Sequence, residues 1–148
     1  MLRTSMAAGA EPGLLLIDTH VWLWLMEGDV GLRVESRQTI NEAAVGGRLR
    51  LSIISVWEIA ILASRNRIQL SKALPAWIGE SLAEPGPAIE PLSTEIALAS
   101  SQLPAGFKSD PADEIIVATA RTTGATLMTR DRRILDYAAR GHLTALRA

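Results

Sequence analysis

Short apolar runs and longer helical periods alternate along this chain. Residues 14–17 form an apolar run of strand length after Gly13, which is typical of a buried parallel strand. Residues 20–27 follow as a predicted helix that ends at Gly28 and is apolar on almost every side. A helix without a polar face is either buried on all sides or covered by a partner.

The same alternation continues to the end of the chain. Further strands are predicted at residues 48–54, 88–92, 125–128 and 142–146, with prolines placing residues 88–92 at a sheet edge. Further helices are predicted at residues 31–46, 55–64, 72–82, 94–102, 111–123 and 131–139. This order predicts one α/β domain at residues 14–148, with a central parallel β-sheet and helices on both faces. Residues 1–13 are predicted to be a flexible tail.

Composition narrows the class of protein. The chain has 148 residues and is 48% hydrophobic, which suits one domain with a substantial core. It has no cysteine and only two histidines, so disulfides and thiolate sites are excluded and a histidine-rich zinc site is disfavoured. No signal peptide is visible, and no apolar run approaches the ~20 residues of a membrane span. We therefore expect a cytosolic protein without membrane contact.

Four carboxylates fall where predicted strands give way to helices. They are Asp18, Glu58, Asp113 and Asp131. Ligands of an open α/β sheet bind outside the carboxyl ends of its strands, so we expect these side chains at one edge. Four acids held together repel one another and need a cation, and an all-oxygen acidic site suits Mg²⁺ or Mn²⁺. The pattern indicates metal-dependent phosphodiester chemistry.

Helix capping is a second explanation for these acids. Asp18 and Asp131 stand where an N-cap is expected. Ser55 and Glu58 have the spacing of a capping box, in which the glutamate bonds back to the amide of the cap residue. Against capping alone, a carboxylate among apolar neighbours is costly to bury unless it is paired or bound to metal.

Two further groups of polar residues accompany the acids. The segment DPAD at residues 110–113 marks a helix start, with Asp110 as the natural N-cap and Asp113 one turn further on. Thr129 offers a hydroxyl beside Asp131. Guanidinium groups suit phosphate contacts. Codon usage in a GC-rich genome is the alternative explanation for the high arginine content, and ordinary surface charge is the alternative for the three arginines near Asp131. The three candidates are Arg130, Arg132 and Arg133.

Four segments together resemble a known family: LLLIDTHVWLWL, ISVWEIAIL, DPADEIIVATA and LMTRDRRIL. The chain resembles the PIN-domain ribonucleases, and most closely the VapC-type toxins of bacterial toxin–antitoxin pairs. This likeness covers nearly the whole chain after the tail. The resemblance implies a compact α/β sandwich, Mg²⁺- or Mn²⁺-dependent cleavage of RNA, dimerisation and inhibition by a small VapB-type antitoxin. It implies catalytic and metal-binding roles for Asp18, Glu58, Asp113 and Asp131, with Asp110 as an occasional fifth acid.

The chain departs from the family pattern at one edge of the third segment. Glu114 stands where the motif often has arginine, and residues 107–109 replace a frequent basic pair. A substrate or ion-pair contact at that edge is therefore not expected from the resemblance.

The leading hypothesis is a type II toxin, an endoribonuclease that inhibits growth or translation. Asp18, Asp113 and Asp131 would hold one or two ions, and Glu58 would bind metal directly, bind it through water or orient the attacking water. Two alternatives stay open: a phosphohydrolase with Asp18 as nucleophile, and a non-catalytic module that binds RNA or protein. A phosphohydrolase usually has a second aspartate where this chain has His20.

The two most apolar predicted helices, residues 20–27 and 55–64, also predict interfaces. A domain of this size cannot easily bury both. One surface is expected to form a homodimer, and the other, near Trp22 or Trp24, to receive an antitoxin segment. The alternative is that both tryptophans belong to the core.

Overall fold

A five-stranded parallel sheet forms the centre of the protein, whose computed structural model describes residues 12–148. The strands are β1 Leu15–Ile17, β2 Leu49–Ser52, β3 Ala88–Glu90, β4 Thr126–Thr129 and β5 Ala145–Arg147. The α-helices are α1 Thr19–Glu27, α2 Val34–Val45, α3 Ile53–Ser64, α4 Leu74–Ser81, α5 Thr94–Ser100, α6 Pro111–Thr123 and α7 Arg132–Ala139, and a 3-10 turn spans Pro104–Gly106. The predicted α/β class with a central parallel sheet is confirmed. The predicted tail, residues 1–13, lies almost wholly outside the described residues.

Side chains that alternate along the strands divide the interior into two cores. Leu15 and Ile17 point to a core that also contains residues of α1, α2, α3 and α4. Leu16 points to the opposite face, where it packs with residues of α6 and α7. Successive side chains of a strand face opposite sides of the sheet, so an all-apolar strand must be covered on both sides. The prediction of helices on both faces is therefore confirmed.

The boundary between β2 and α3 differs from the prediction. The strand ends at Ser52, two residues earlier than expected, and the Ser52 hydroxyl accepts a hydrogen bond from the Ile54 amide as the N-cap of α3. Ser55 is therefore inside the first turn and Glu58 lies in the second turn. The predicted capping box is wrong, because it required Ser55 to be the cap residue.

Other element ends shift by local turn chemistry. The predicted helix at residues 31–46 begins only at Val34, because the Gly31 amide bonds to the Asp29 side chain in a preceding turn. The last strand was predicted at residues 142–146, but it occupies Ala145–Arg147. By contrast, α6 has the predicted bounds, with Asp110 as its N-cap and Gly124 in the left-handed conformation at its end.

The strand order β3-β2-β1-β4-β5 places a topological switch point between β1 and β4. From β1 the chain proceeds outward through β2 and β3, then returns to the other side of β1 as β4. The Asp18 amide donates to the Met128 carbonyl at 3.0 Å, so the two strand ends stay together at this point. Ligands of open α/β sheets bind in the crevice that such a reversal opens. No helix in residues 12–148 is long and apolar enough to cross a membrane; the cytosolic location stays a prediction.

Candidate active site

The four predicted acids converge on one cavity at the switch point. The cavity has a volume of about 490 Å³ and opens at the carboxyl ends of β1 and β4. Its lining residues are Asp18, His20, Trp24, Glu58, Asp110, Asp113, Arg130 and Asp131. Each acid comes from a different strand-to-helix junction or helix, so only the tertiary fold brings them together. Asp110, which was predicted as an auxiliary acid, belongs to the same lining.

Asp18 is a buried acid in the lining of this cavity. It is 7% exposed, and both carboxylate oxygens accept hydrogen bonds: Oδ1 from the Thr19 amide at 2.8 Å and Oδ2 from the Thr129 hydroxyl at 2.6 Å. Burial raises the pKa of Asp18, and these two hydrogen bonds partly offset the rise. Each Asp18 oxygen accepts one hydrogen bond and keeps a second lone pair, so the two bonds fix the carboxylate without excluding a further role.

Thr129 connects Asp18 with Asp131. Its hydroxyl oxygen accepts from the Asp131 amide at 3.0 Å while its hydrogen goes to Asp18. Asp131 is also the N-cap of α7, with Oδ1 accepting from the amides of Arg133 and Ile134 at 2.8 and 3.3 Å. The capping role predicted as an alternative is thus present. Capping engages only Oδ1 of Asp131, so the second carboxylate oxygen, Oδ2, is left for another role.

Glu58 enters the cavity from the second turn of α3. Its Oε1 accepts from the Thr19 hydroxyl at 2.6 Å, and the side chain is partly exposed. Burial raises the pKa of Glu58, the Thr19 hydrogen bond opposes that rise, and the negative charges of Asp110 and Asp18 add to it. A hydrogen bond from α1 to α3 therefore sets the position of this carboxylate.

Asp113 faces the cavity from the first turn of α6. Its Oδ2 accepts from the Ser109 hydroxyl at 2.7 Å, while Asp110 caps the helix by accepting from the Asp113 amide at 2.9 Å. Burial raises the pKa of Asp113 to about 6, and repulsion from Asp110, Asp18 and Asp131 contributes to that rise against the opposing Ser109 bond. The acids therefore destabilise one another's charged forms.

The donor set fits an oxygen-preferring cation. Glu58, Asp113 and Asp131 each have one carboxylate oxygen that no hydrogen bond within residues 12–148 engages. In that same range, no three acidic or histidine side chains are already arranged around one ion position. Each of these carboxylates instead has its own hydroxyl or amide partner. Mg²⁺ and Mn²⁺ prefer such carboxylate oxygens, and cysteine ligands are absent from the sequence.

The three flanking arginines differ in their surroundings. Arg130 lies over the Trp24 ring at 4.9 Å and donates to the carbonyls of Ala148 and Gly31, so it supports the cavity wall. Arg132 and Arg133 are exposed and line an adjoining open cavity of about 680 Å³. That cavity shares Asp110, Asp113 and Asp131 with the first. The two exposed arginines are therefore the better candidates for phosphate contact.

The two tryptophans of α1 have different environments. Trp22 is 0% exposed and packs edge-on against Trp77, with ring centroids 4.9 Å apart. The predicted interface near Trp22 is therefore wrong, because this side of the all-apolar helix faces the core. Trp24 is partly exposed and lines the acidic cavity.

Sequence reasoning missed several residues of the site. Thr19, Ser55 and Ser109 supply or support hydroxyl contacts to the acids, and His20 lines the cavity. Trp24, predicted only as an antitoxin contact, lines it as well. The adjacency of Thr19 and His20 to Asp18 was the available signal for two of them. No local signal in the sequence pairs Ser55 with Thr19, 36 positions away.

The fold and this cavity together define a parallel α/β domain with an acidic pocket at its switch point, in which carboxylate oxygens are the candidate metal ligands. The family model of the PIN domain matches residues 15–140. The chain therefore belongs to the PIN-domain family, which confirms the resemblance seen in its motifs. It is 35% identical to Ribonuclease VapC22 of Mycobacterium tuberculosis (strain ATCC 25618 / H37Rv) over 123 residues, which cover 83% of this chain and 91% of that protein.

Solved structures share the fold at much lower identity. One match is the crystal structure of VapBC2 from Rickettsia felis bound to a DNA fragment from the VapBC2 promoter. The TM-score is 0.67 at 13% identity, and the match covers 91% of this chain and 98% of that chain. A toxin–antitoxin complex from Klebsiella pneumoniae matches with a TM-score of 0.60 and 23% identity, covering 89% and 95% of the two chains. These likenesses support the single PIN-like α/β domain.

Proposed function

We propose that this protein is a Mg²⁺- or Mn²⁺-dependent endoribonuclease toxin of a type II toxin–antitoxin system that inhibits growth by cutting RNA needed for translation. The observation that carries this proposal is the convergence of Asp18, Glu58, Asp113 and Asp131 on one cavity. The 35% identity to Ribonuclease VapC22 supports RNA as the substrate.

The residues have distinct proposed roles. Asp18, Asp113 and Asp131 hold one or two divalent ions, with Asp18 fixed by Thr129 and the Thr19 amide. When bound, the ion supplies Lewis-acid chemistry that polarises the phosphate and makes water a better nucleophile. Glu58 binds the ion or orients the attacking water through its remaining oxygen. Hydrolysis then needs no nucleophilic side chain.

The RNA strand is proposed to pass from the acidic cavity into the adjoining one. The two cavities share Asp110, Asp113 and Asp131, so a phosphate above these acids has room on both sides. Arg132 and Arg133 are exposed in the second cavity and offset the negative charge of the phosphates. Hydrogen bonds and shape at unpaired bases would then decide which RNA is cut.

A VapB-type antitoxin and a second copy of the chain are the proposed partners. The toxin–antitoxin complex from Klebsiella pneumoniae, a structural neighbour, supports this kind of partner. Trp24 offers a partly exposed ring in the lining of the cavity for an antitoxin segment. Trp57 on α3 is 56% exposed and neighbours the 40% exposed Ile53, which suits a homodimer contact.

Cleavage of RNA by purified protein tests the proposal. Cutting should require Mg²⁺ or Mn²⁺ and should stop in excess EDTA. Asp18→Asn, which removes a charge at almost constant volume, should abolish cutting in a folded protein. Undiminished cutting in EDTA would refute metal dependence. RNA binding without cutting under every divalent ion would favour the non-catalytic alternative, and a phosphorylated Asp18 would favour the phosphohydrolase.

A further inference from the structure

Two buried hydroxyl groups are linked to Glu58 by consecutive hydrogen bonds. Thr19 Oγ1 donates to Glu58 Oε1 at 2.6 Å, and Ser55 Oγ lies 2.7 Å from Thr19 Oγ1. Thr19 is the first residue of α1, and Ser55 lies one turn before Glu58 on α3. Thr19 is 1% exposed and Ser55 is 0% exposed, whereas Glu58 reaches the cavity. The contacts therefore join two helices behind the site.

The chemistry of the three groups decides which of them donates each hydrogen bond. A hydroxyl has one hydrogen to donate, and an ionised carboxylate can only accept. Because Thr19 gives its hydrogen to Glu58, the Ser55 hydroxyl must donate to Thr19. The hydrogen bonds then run from Ser55 to Thr19 to Glu58. Hydrogen bonds linked in this way polarise one another, and a buried chain strengthens its last contact.

Glu58 needs such a restraint because its neighbours repel it. The charges of Asp18 and Asp110 act on the Glu58 carboxylate across the cavity. A glutamate side chain has several rotatable bonds, so repulsion without a restraint would turn it toward solvent. The Thr19 bond engages only Oε1, which leaves Oε2 for the cavity.

We propose that Thr19 and Ser55 are positioning residues that hold Glu58 among the other acids for use in the reaction, Ser55 acting through Thr19. This inference rests on the proposed function in requiring that the cavity takes a divalent cation. Partners that orient metal-binding side chains typically change metal affinity or activity by about 10- to 100-fold when removed. Neither hydroxyl is assigned a contact with RNA.

The test compares Thr19→Val with a matched control. Thr19→Val keeps the side-chain shape and removes the hydroxyl. Thr119→Val removes an equally buried hydroxyl, 2% exposed, which donates to the Ile115 carbonyl within α6. Mn²⁺ affinity is measured by titration calorimetry, and kcat and KM are measured on an RNA oligonucleotide. We expect Thr19→Val to lower Mn²⁺ affinity and kcat by about 10- to 100-fold with little change in KM. Thr119→Val should change neither.

Two further variants separate positioning from general loss of structure. Thr19→Ser retains the hydroxyl and should restore both Mn²⁺ affinity and kcat. Ser55→Ala should weaken both in the wild-type background but add nothing to Thr19→Val, because Ser55 acts through Thr19. Mn²⁺ affinity and kcat in Thr19→Val equal to those in Thr119→Val would overturn the inference. If wild-type protein binds Mn²⁺ but cuts no RNA, the proposed function fails, and the Mn²⁺ affinities of the same variants still decide the role of Thr19.

Discussion

Replacing Asp113 by asparagine should stabilise the metal-free protein at neutral pH. Asp113 has its pKa raised from 3.8 to about 6 by burial and by the neighbouring acids. The folded protein therefore binds this proton more tightly than the unfolded chain does. The proton on Asp113 therefore contributes to the free energy of unfolding. This contribution is fully present below about pH 3.8 and is lost as the pH rises through about 6. The asparagine side chain carries no charge at any pH, and its amide oxygen can still accept the Ser109 hydrogen bond.

The expected magnitude is modest. A fully shielded carboxylate with this rise in pKa would cost the folded protein about 3 kcal/mol at neutral pH. Asp113 is only partly buried, so solvent screening lowers the cost to about 1.5 kcal/mol. Loss of an acid from the first turn of α6 opposes the gain by about 0.5 kcal/mol. The net stabilisation by Asp113→Asn at pH 7.5 is therefore about 1 kcal/mol, or about 3 °C in Tm.

Urea unfolding in EDTA at pH 4.5 and pH 7.5 measures this difference. The gain in unfolding free energy from Asp113→Asn should be largest at pH 7.5 and should fall to about a third of that value at pH 4.5, where the carboxyl of the unfolded chain is still mostly ionised. Asp136→Asn is the control, because Asp136 is exposed on α7 and its replacement should change stability by less than about 0.5 kcal/mol. A variant that is less stable than wild type at pH 7.5, or a gain that does not depend on pH, would refute the reasoning.

Three further predictions concern catalysis, RNA binding and the partner. Glu58→Gln keeps an acceptor for Thr19 but loses its charge, so RNA cleavage should collapse while the urea midpoint barely moves; full activity would remove Glu58 from the site. Arg133→Gln should weaken RNA binding and reduce the salt dependence of that binding in a filter-binding assay. Arg130→Gln should mainly lower Tm, because Arg130 donates hydrogen bonds to two backbone carbonyls. Antitoxin binding should change tryptophan fluorescence in wild type but not in Trp24→Phe; an unchanged response in that variant would place the antitoxin elsewhere.

The helix that carries Asp113 shows how much local signals determine. Asp110, the proline after it and Gly124 satisfy the two helix ends within the segment itself, so α6 was predicted with its observed bounds. The parallel sheet was likewise predictable, because an apolar strand such as Leu15–Ile17 must be covered on both faces. Strand-to-helix order also placed the acids at one sheet edge, since parallel strands end on the same side.

Contacts between distant segments decided the rest. Ile53 and Ile54 suit a strand as well as a helix, and only the end of the pairing with β3 at Ser52, together with the Ser52 cap, starts α3 there. The repetition of apolar residues in α1 could not distinguish Trp22, which packs on Trp77, from Trp24, which faces the cavity. Glu58 had a plausible local partner in sequence, but its hydrogen bond comes from Thr19, 39 positions earlier. Residue type and spacing therefore identify which acids gather, whereas the partner that orients each acid depends on which helices the folded sheet brings into contact.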